Sequence, residues 1–448
     1  MGIAGKRVSI IGAVRSGVGA AKLVKKSGGI PFVSDISDEF KLKDSISKLK
    51  EEKIDFETGG HSDKVYDCEL MVVSPGVPSD AEVLIEGERR NIKIISELEL
   101  AGRFCKGQIV AVTGTNGKTT TTALCGHLFN MSGHKTYTAG NIGVAFSEIA
   151  LNVKENEFVA LEVSSFQLDL IDEFKPKAAM ILNITPDHLN RYGNKFENYV
   201  ASKFRIYKNQ DESDYLILNK DDQAISENIT PRKSKSFYFS LNEVLNNGCY
   251  KSDDQLIFNK ESKLEFALPV NEMQIKGDHN AANAMAVITA AKIFDFDNEK
   301  IKEGLRTFKG VEHRLELVRE IGGVKYINDS KATNVDSVWY ALQSFDEPIF
   351  LILGGQDKGN NYERIKNLVE DKVKKIFAIG SSAEKVFNFF HSTVKVELKV
   401  SLEEAVNSAS KEAKSGEVVL LSPACASFDM FDNYEHRGKV FKEAVNIL

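Results

Sequence analysis

The chain has 448 residues, of which 42% are hydrophobic and 27% are charged, and its formal net charge is −6. This composition predicts a soluble globular protein with several domains, and it excludes a polybasic nucleic-acid binder and an acidic disordered tail. The five cysteines stand far apart, which argues against a disulfide framework or a zinc site and favours a reducing compartment. No stretch approaches the roughly 18 apolar residues of a membrane span, so we expect a cytoplasmic protein.

The first hundred residues alternate short apolar runs with helical patterns, which predicts a parallel sheet. Strands are expected at Arg7–Ile11, Ile30–Ser34 and Leu70–Ser74, with a helix from Gly17 to Lys26. The turn from Gly12 to Gly19 is an imperfect dinucleotide motif because Val14 replaces a glycine. Either this turn binds a nucleotide or nucleotide-sugar together with Asp35, or it is an ordinary tight turn in which Asp35 caps a helix.

A second α/β segment begins at Gln108 and contains the clearest motif of the chain. A buried-strand pattern over Ile109–Thr113 leads into Gly114-Thr115-Asn116-Gly117-Lys118-Thr119, and a helix is expected to about Ser132. Backbone N–H groups of such a loop bind phosphate oxygens, the lysine neutralises phosphate charge and the following hydroxyl can ligate Mg²⁺. The loop is a shortened variant, since Val112 stands where the usual phosphate loop has its first glycine. It predicts an ATP-using enzyme.

Other polar residues follow predicted strands of the same segment. Further strands are expected at Phe158–Val163, Ala178–Asn183 and Tyr215–Leu218, short antiparallel strands over 237–270, and a helix at Asn280–Ile293. Glu162 ends the first of these strands, where a carboxylate can hold Mg²⁺. From the pattern alone, His188 is either a metal ligand or a loop histidine, Lys203 is a solvated helix lysine, and Asn280 and Asn283 either cap their helix or reach a nucleotide.

The last segment places polar clusters after three predicted strands. Strands are expected at Lys325–Asn328, Ile349–Leu353, Ile376–Ile379 and Val418–Leu421. The clusters begin at Asn328, Gly354 and Ser422, and strand ends that converge in this way favour a site for an anionic small molecule. Arg314 either reaches a phosphate or forms an ion pair between domains. We predict three α/β domains, residues 1–100, 101–309 and 310–448.

These motifs together resemble the Mur ligases of peptidoglycan synthesis over essentially the whole chain. The resemblance rests on Thr113-Gly-Thr-Asn-Gly-Lys-Thr-Thr, Glu162-Val-Ser-Ser-Phe-Gln, Asp187-His188, His279-Asn280, His313-Arg314 and Asn328-Asp-Ser-Lys-Ala-Thr-Asn. The last of these, with Ser422-Pro-Ala-Cys-Ala-Ser-Phe-Asp, is similar to the family's D-glutamate-adding ligases. The resemblance implies an N-terminal Rossmann-like UDP-binding domain, a central ATPase with a parallel sheet and small antiparallel strands, and a C-terminal Rossmann-like domain.

The resemblance also implies the role of each site residue. ATP would be bound by Gly114, Thr115, Asn116, Gly117, Lys118, Thr119, Thr120, Asn283, Arg314, Asp329 and Lys331. The catalytic set would be Lys118, Glu162, His188 and Lys203, and Mg²⁺ (two ions) would be held by Thr119, Glu162, His188 and Lys203, the last as a carbamate. The UDP substrate would contact Val14, Arg15, Ser16, Asp35, Ser74, Gly76 and Asn141. D-Glutamate would contact Lys331, Thr333, Lys358, Ser427, Phe428 and Tyr434.

The implied reaction is ATP-dependent joining of D-glutamate to UDP-N-acetylmuramoyl-L-alanine through an acyl phosphate. We expect a cytoplasmic monomer that has no membrane span and binds no nucleic acid. Three alternatives remain from the sequence. A folylpolyglutamate synthase would share the ATPase core but lack the first glycine-turn domain. An NAD(P)-dependent dehydrogenase would bind its cofactor at that glycine turn, but the imperfect motif of the turn argues against this alternative. A non-catalytic nucleotide-binding module would not need three polar strand ends in the last domain.

Overall fold

The computed structural model describes residues 2–141, 143–357 and 359–448. The chain forms two compact units, the first comprising the residues up to Met273 together with Asn280–Phe308, and the second Gln274–His279 with Lys309–Leu448. The first unit contains two sheets and the second unit one. The α/β class and the three-domain architecture are confirmed, whereas the boundaries at 100 and 309 stay predictions.

The first sheet has five parallel strands in the order β3-β2-β1-β4-β5. Its elements are β1 (Arg7–Ile11), α1 (Arg15–Lys26), β2 (Ile30–Asp35), α2 (Lys43–Glu51), β3 (Asp55–Thr58), β4 (Leu70–Val73), α3 (Glu82–Arg89), β5 (Ile94–Ser96) and α4 (Glu97–Phe104). The order of strand addition reverses between β1 and β4. The glycine turn after β1 therefore lies at the switch point, where open α/β sheets bind ligands.

The second sheet has nine strands in the order β14-β13-β12-β11-β10-β9-β6-β8-β7. Its elements are β6 (Gln108–Thr113), α5 (Lys118–Met131), β7 (Thr136–Gly140), α6 (Phe146–Ile149), β8 (Phe158–Glu162), α7 (Ser165–Asp169), β9 (Ala178–Ile181), α8 (Phe196–Phe204), β10 (Tyr215–Asn219), α9 (Gln223–Asn228), β11 (Lys235–Ser240), β12 (Gly248–Ser252), β13 (Gln255–Lys260), β14 (Lys263–Pro269), α10 (Asp278–Ile293) and α11 (Asn298–Thr307). Antiparallel pairing is confined to β12–β14, because β11 pairs in parallel with both β10 and β12.

Strand β6 is the central strand of the parallel region, between β8 and β9. Its residues from Ile109 to Thr113 are all buried, as expected for an apolar, β-branched run covered on both faces. The run ends at Gly114, and α5 begins four residues later. The phosphate-loop motif therefore occupies the tight connection between the carboxyl end of a central strand and the N-terminus of a 14-residue helix.

Helix α4 connects the first sheet to the second through a fully buried carboxylate. Glu99, with 0% exposure, accepts hydrogen bonds from the backbone N–H groups of Asp172 (2.9 Å), Glu173 (3.1 Å) and Phe174 (2.7 Å). The Nε of Arg103, one turn further along α4, donates to the same carboxylate at 2.7 Å. A buried charge with this many donors is well compensated, and it fixes the loop after α7 to α4.

The third sheet has six strands in the order β15-β16-β20-β17-β18-β19, and only β15 is antiparallel to its neighbour. Its elements are β15 (Glu316–Ile321), β16 (Val324–Asn328), α12 (Val335–Gln343), β17 (Ile349–Gly354), α13 (Glu363–Lys372), β18 (Val373–Ile379), α14 (Ala383–Phe390), β19 (Lys395–Leu398), α15 (Leu402–Glu412), β20 (Val418–Leu421) and α16 (Tyr434–Ile447). Apolar cores cover both faces of this sheet. None of the helices in the described parts of the chain combines the length and the apolar composition needed to cross a bilayer.

Candidate active site

The phosphate-loop motif adopts a backbone conformation that requires glycine. Gly114 and Gly117 have φ values of 155° and 83°, which residues with a side chain rarely adopt. A Cβ atom on Gly117 would also lie 2.5 Å from the side-chain oxygen of Asn283 on α10. Asn283, which the sequence suggested as a nucleotide contact, therefore lies directly against the loop.

The segment after β9 holds the loop in place from the other side. The N–H of Asn116 donates to the Asn183 side-chain oxygen at 2.8 Å, and the Asn183 amide donates back to the Asn116 carbonyl at 3.1 Å. The Thr115 hydroxyl donates to the Thr185 carbonyl at 3.0 Å. These bonds fix the position of the loop at the start of α5, where Thr119 and Thr120 are largely buried.

Two lysines lie at the same carbonyl of this loop. Lys118 donates to the Gly114 and Thr115 carbonyls at 2.8 and 2.7 Å. Lys203, on α8, is 1% exposed and donates to the Gly114 carbonyl at 2.8 Å. Burial, and then the charge of Lys118, hold the pKa of Lys203 well below its usual value. The sequence pattern alone suggested a solvated lysine, and that interpretation is wrong because this side chain points into the protein.

Glu162 ends β8 beside β6, in register with Val112. One of its carboxylate oxygens, Oε1, accepts a hydrogen bond from the Asn141 amide at 3.1 Å. The other, Oε2, is buried and has no hydrogen-bond partner among the described residues. A buried, unpartnered carboxylate oxygen near a phosphate loop fits a divalent cation, since Mg²⁺ prefers oxygen ligands and a buried charge needs compensation.

His188 begins the short 3₁₀ turn Leu189–Tyr192, in a left-handed conformation with φ of 52°. Its ring meets the edge of the Phe166 ring, with centroids 5.2 Å apart. Phe166 belongs to α7, which begins three residues after Glu162. The hydroxyl of Thr119 and the carboxylate of Glu162 are oxygen donors of the kind that magnesium sites use, so these two residues fit the group that the motifs imply. The imidazole of His188 would add a nitrogen donor to them.

The first glycine turn is built around Asp35, at the end of β2. Its carboxylate accepts the N–H of Ala13 at 2.6 Å and the N–H of Ser37 at 2.8 Å. The Ser74 hydroxyl donates to the Gly12 carbonyl at 3.3 Å. Asp35, the glycine turn and the end of β4 therefore lie together, as predicted. Val14 is 64% exposed, and Arg15 and Ser16 form the first residues of α1.

The second unit brings Arg314, Asp329 and Ser422 together at the ends of β16 and β20. Asp329 is fully buried, accepts the Ser422 hydroxyl at 2.9 Å and lies 3.4 Å from the Arg314 guanidinium. Burial raises the pKa of Asp329 to about 6, although Arg314 and Ser422 favour its ionised form. The pairing shows that the first and last polar clusters of this sheet form one network.

Lys331 and Tyr434 form a second contact of this unit. The Lys331 ammonium donates to the Tyr434 hydroxyl at 3.1 Å and lies 4.5 Å from the ring centre. Of the other residues suggested for D-glutamate, Thr333 donates its N–H to the Lys331 carbonyl, Ser427 is buried and Phe428 is 68% exposed. Lys358 lies outside the described residues.

Family models match three consecutive parts of the chain. They are the MurD N-terminal domain over residues 8–83, the Mur ligase middle domain over 112–291 and the Mur ligase glutamate ligase domain over 313–425. The chain is also 43% identical to the UDP-N-acetylmuramoylalanine–D-glutamate ligase of Chloroherpeton thalassium, covering 99% of this chain and 98% of the relative. The enzyme of the same name from Acidobacterium capsulatum is 43% identical, with coverage of 99% and 97%.

The chain belongs to the Mur ligase family.

Solved structures of Mur ligases share the fold. UDP-N-acetylmuramate-alanine ligase MurC from Thermotoga maritima superimposes with a TM-score of 0.65 at 20% identity, covering 99% of both chains. A bifunctional folylpolyglutamate synthase/dihydrofolate synthase from Yersinia pestis gives a TM-score of 0.60 at 15% identity but covers 78% of this chain. The sequence analysis expected a folylpolyglutamate synthase to lack the first glycine-turn domain. In this chain a family model for the MurD N-terminal domain matches residues 8–83, which include that glycine turn.

Sequence reasoning missed one buried cation of this Mur ligase. Arg437, on α16, is 1% exposed and donates to the carbonyls of Ser330 (2.8 Å) and Cys425 (3.1 Å) and to the Ser330 hydroxyl (3.0 Å). It thereby fixes the cluster after β20 to the cluster after β16. Arg437 follows Tyr434 by three residues, so the two side chains lie on one face of α16. This spacing was the feature of the sequence that could have placed Arg437 near the residues suggested for D-glutamate.

Proposed function

We propose that this Mur ligase joins the amine of D-glutamate to the L-alanine carboxylate of UDP-N-acetylmuramoyl-L-alanine, with conversion of ATP to ADP and phosphate. The observation that carries the proposal is the grouping of Lys118, Glu162 and Lys203 around the phosphate loop. Relatives 43% identical over nearly their whole length carry the name of this activity. The identity of both substrates is therefore inferred from those relatives, whereas the residues of the site support the use of ATP and the activation of a carboxylate.

A carboxylate must be activated before an amine can displace its oxygen. In the first step a carboxylate oxygen attacks the γ-phosphorus of ATP, the bond to the β,γ-bridging oxygen breaks, and ADP leaves. In the second step the neutral amine of D-glutamate attacks the acyl carbon, the C–O bond to phosphate breaks, and the amine loses a proton. Positioning and charge neutralisation are the main requirements of such phosphoryl transfer.

The phosphate loop and Lys118 are proposed to hold the triphosphate. Lys118 bonds to loop carbonyls at 2.7 and 2.8 Å, so its ammonium lies where it can turn toward phosphate oxygens. Asn283 lies against the same loop, on α10. Arg314, Asp329 and Lys331 of the second unit are proposed as further nucleotide contacts, as the family resemblance implies.

Mg²⁺ is proposed to be held by Thr119, Glu162, His188 and a carbamylated Lys203. A bound Mg²⁺ would screen the repulsion between the substrate carboxylate and the triphosphate. Support comes from the buried, unpartnered Oε2 of Glu162 and from Lys203, whose amine is buried and repelled by Lys118. A neutral amine can attack the carbon of CO₂; a new N–C bond forms, one C–O π bond breaks and a proton leaves the nitrogen. The product is an anion in place of a cation.

The first glycine turn is proposed to bind the UDP moiety and Asn141 the muramoyl part. Val14, Arg15, Ser16, Asp35, Ser74 and Gly76 surround the switch point of the first sheet, and Asn141 contacts Glu162 at 3.1 Å. D-Glutamate is proposed to bind in the second unit at Lys331, Thr333, Lys358, Ser427, Phe428 and Tyr434. We further propose that the enzyme acts as a cytoplasmic monomer.

The decisive experiment measures ADP release from purified enzyme with ATP, Mg²⁺ and UDP-N-acetylmuramoyl-L-alanine across a panel of amino acids. D-Glutamate should give ADP release, and L-glutamate, D-aspartate and L-alanine should not. Release that depends on another amino acid would reassign the acceptor. ADP release that requires a folate in place of the UDP substrate would indicate that the protein is a folylpolyglutamate synthase.

A further inference from the structure

The Arg191 side chain joins segments of the first unit that are far apart in sequence. Arg191 lies in the 3₁₀ turn Leu189–Tyr192, three residues after His188. Its guanidinium donates to the Val77 carbonyl at 2.7 Å and lies 3.4 Å from the Pro75 carbonyl. The residue thus reaches from the metal-side turn of the second sheet to the loop that follows β4 of the first sheet.

The same guanidinium lies 4.0 Å from the centre of the Phe166 ring. Phe166 also packs against His188, edge to face at 5.2 Å, and stacks with Tyr192 at 6.0 Å. A cation over an aromatic face is attracted by the ring quadrupole. Arg191 is therefore fixed on two sides, by two backbone carbonyls and by a ring that itself contacts a proposed metal ligand.

The loop at the other end of this contact belongs to the proposed UDP-substrate site. Ser74 donates its N–H to the Ile11 carbonyl at 3.0 Å and its hydroxyl to the Gly12 carbonyl at 3.3 Å. The N–H of Val77 donates to the Ser74 carbonyl at 3.1 Å, which closes a tight turn around Gly76. Any displacement of Pro75 and Val77 would therefore be transmitted to Ser74 and to the glycine turn.

Other contacts between the first and second sheets lie elsewhere. Lys93 pairs with Asp172, Ser96 donates its N–H to the Leu170 carbonyl, and Glu97 accepts the N–H of Ser147. None of these three contacts involves the 74–77 loop or the turn after His188. They brace the two sheets, whereas the Arg191 contact joins the two loops that the proposed function assigns to different ligands.

We propose that Arg191 is a positioning residue that couples the UDP-substrate loop at 74–77 to the metal-side residues Glu162 and His188. The inference rests on the proposed function, because it assigns those two loops to the UDP substrate and to Mg²⁺. Through Phe166 and the 188–192 turn, the arginine sets the distance between the bound substrate's carboxylate and the γ-phosphate. The arginine fork suits this task because it can bond two carbonyls while its flat face stays on the ring.

The test compares Arg191→Lys and Arg191→Met with Lys93→Met, which cuts a contact between the same two sheets away from both loops. Steady-state ADP release gives kcat and the two KM values. We expect both Arg191 variants to lower kcat at least tenfold and to raise the KM for UDP-N-acetylmuramoyl-L-alanine, while the KM for ATP changes less than twofold. Lys93→Met should match the wild type within twofold.

A binding measurement separates coupling from simple bracing. Calorimetric titration of Mg²⁺·ADP is made with and without saturating UDP-N-acetylmuramoyl-L-alanine. Coupled sites in proteins typically change each other's affinity by about 5- to 150-fold, so we expect at least a fivefold change in the wild type and in Lys93→Met. The change should fall below twofold in Arg191→Met, with the affinity for Mg²⁺·ADP alone unaltered.

The outcomes distinguish failure of this inference from failure of the proposed function. A wild-type enzyme that releases no ADP with D-glutamate refutes the proposed function. An active wild type whose Arg191 variants retain kcat, or retain the fivefold coupling, refutes the positioning role alone. Equal losses in Arg191→Met and Lys93→Met would assign Arg191 to general bracing and would also overturn the inference.

Discussion

The ammonium groups of Lys118 and Lys203 both donate a hydrogen bond to the carbonyl oxygen of Gly114, each at 2.8 Å. Two cations on one acceptor repel each other, and Lys203 bears the greater cost because it is fully buried. This relationship favours the neutral amine of Lys203, which is the form that reacts with CO₂.

Lys203→Ala should lower kcat at least 100-fold, and a short-chain carboxylic acid such as acetate should restore part of the activity. The truncated side chain leaves space in which an added carboxylate can replace the carbamate. Steady-state ADP release with and without acetate measures the effect. Lys203→Arg is the control, since it fills the space and keeps the charge, so acetate should not restore it. Equal rescue of both variants, or rescue of neither, would contradict carbamylation.

Lys118→Met should abolish ligation and weaken ADP binding at least 100-fold without lowering the melting temperature. The physical reason is that Lys118 supplies the phosphate-binding charge, while its removal lets the pKa of the buried Lys203 rise toward its usual value, which lowers the cost of burying that side chain. Calorimetric ADP titration and thermal unfolding are the measurements. A variant that ligates at the wild-type rate would show that the phosphate loop is not the ATP site.

Gly117→Ala should eliminate nucleotide binding, whereas Gly133→Ala should not. Both glycines flank α5 with similar φ values, 83° and 87°, so the backbone cost of alanine, about 1 kcal/mol, is matched. A Cβ on Gly117 would meet the Asn283 oxygen at 2.5 Å, but a Cβ on Gly133 meets nothing within 4 Å. ADP affinity and melting temperature separate the two effects. Equal ADP affinity in both variants would argue against the Asn283 contact.

The Asp329 carboxyl should make the second unit less stable as pH rises from about 4 to about 6. Its pKa is raised from 3.8 to about 6 in the folded protein, so the folded state binds more protons than the unfolded state in this window. The free energy of unfolding therefore falls with increasing pH. In Asp329→Asn this contribution should be absent, and thermal unfolding of both proteins across this range measures the difference.

Glu397→Gln is the control of opposite sign. Lys375 and Lys399 hold the pKa of Glu397 at about 2, below its usual 4.5, so the wild type should gain stability over this variant as pH rises from about 2 to about 4.5. Only the upper end of this gain overlaps the range in which Asp329 titrates. A wild-type advantage over Asp329→Asn that grows with pH would contradict the raised pKa of Asp329.

The sequence predicted the phosphate loop because its function and its conformation depend on the same residues. Glycine, lysine and threonine are needed at fixed spacing between a strand and a helix, so the motif is short and can be recognised from the sequence alone. The strand that ends in Glu162 could be predicted for a similar reason, since a buried parallel strand is an apolar run, here followed by a polar residue. The strand before Asp329 is also mostly apolar and buried.

The interpretation of Lys203 shows what sequence patterning leaves out. Its position on α8 fits a solvent-exposed face, and only the packing of α8 against the end of β6 makes it buried. Arg437 and Arg191 were missed for the same reason. Arg437 donates to the Ser330 carbonyl, 107 residues away, and Arg191 to the Val77 carbonyl, 114 residues away. Every residue has a backbone carbonyl, so residue identities do not reveal such acceptors.

The carboxylate of Glu99 has a consequence for engineering this enzyme. Because it accepts three successive N–H groups of the 172–174 loop, α4 is tied to a segment that follows it by some seventy residues in the chain. A hybrid of two family members joined after residue 104 would take this acid from one parent and its donors from the other, whereas a junction at residue 96 keeps both in one parent. The first sheet is therefore best exchanged ahead of α4, and a longer piece that includes α4 would need the 172–174 donor loop from the same parent, as a paired replacement at two places in the gene.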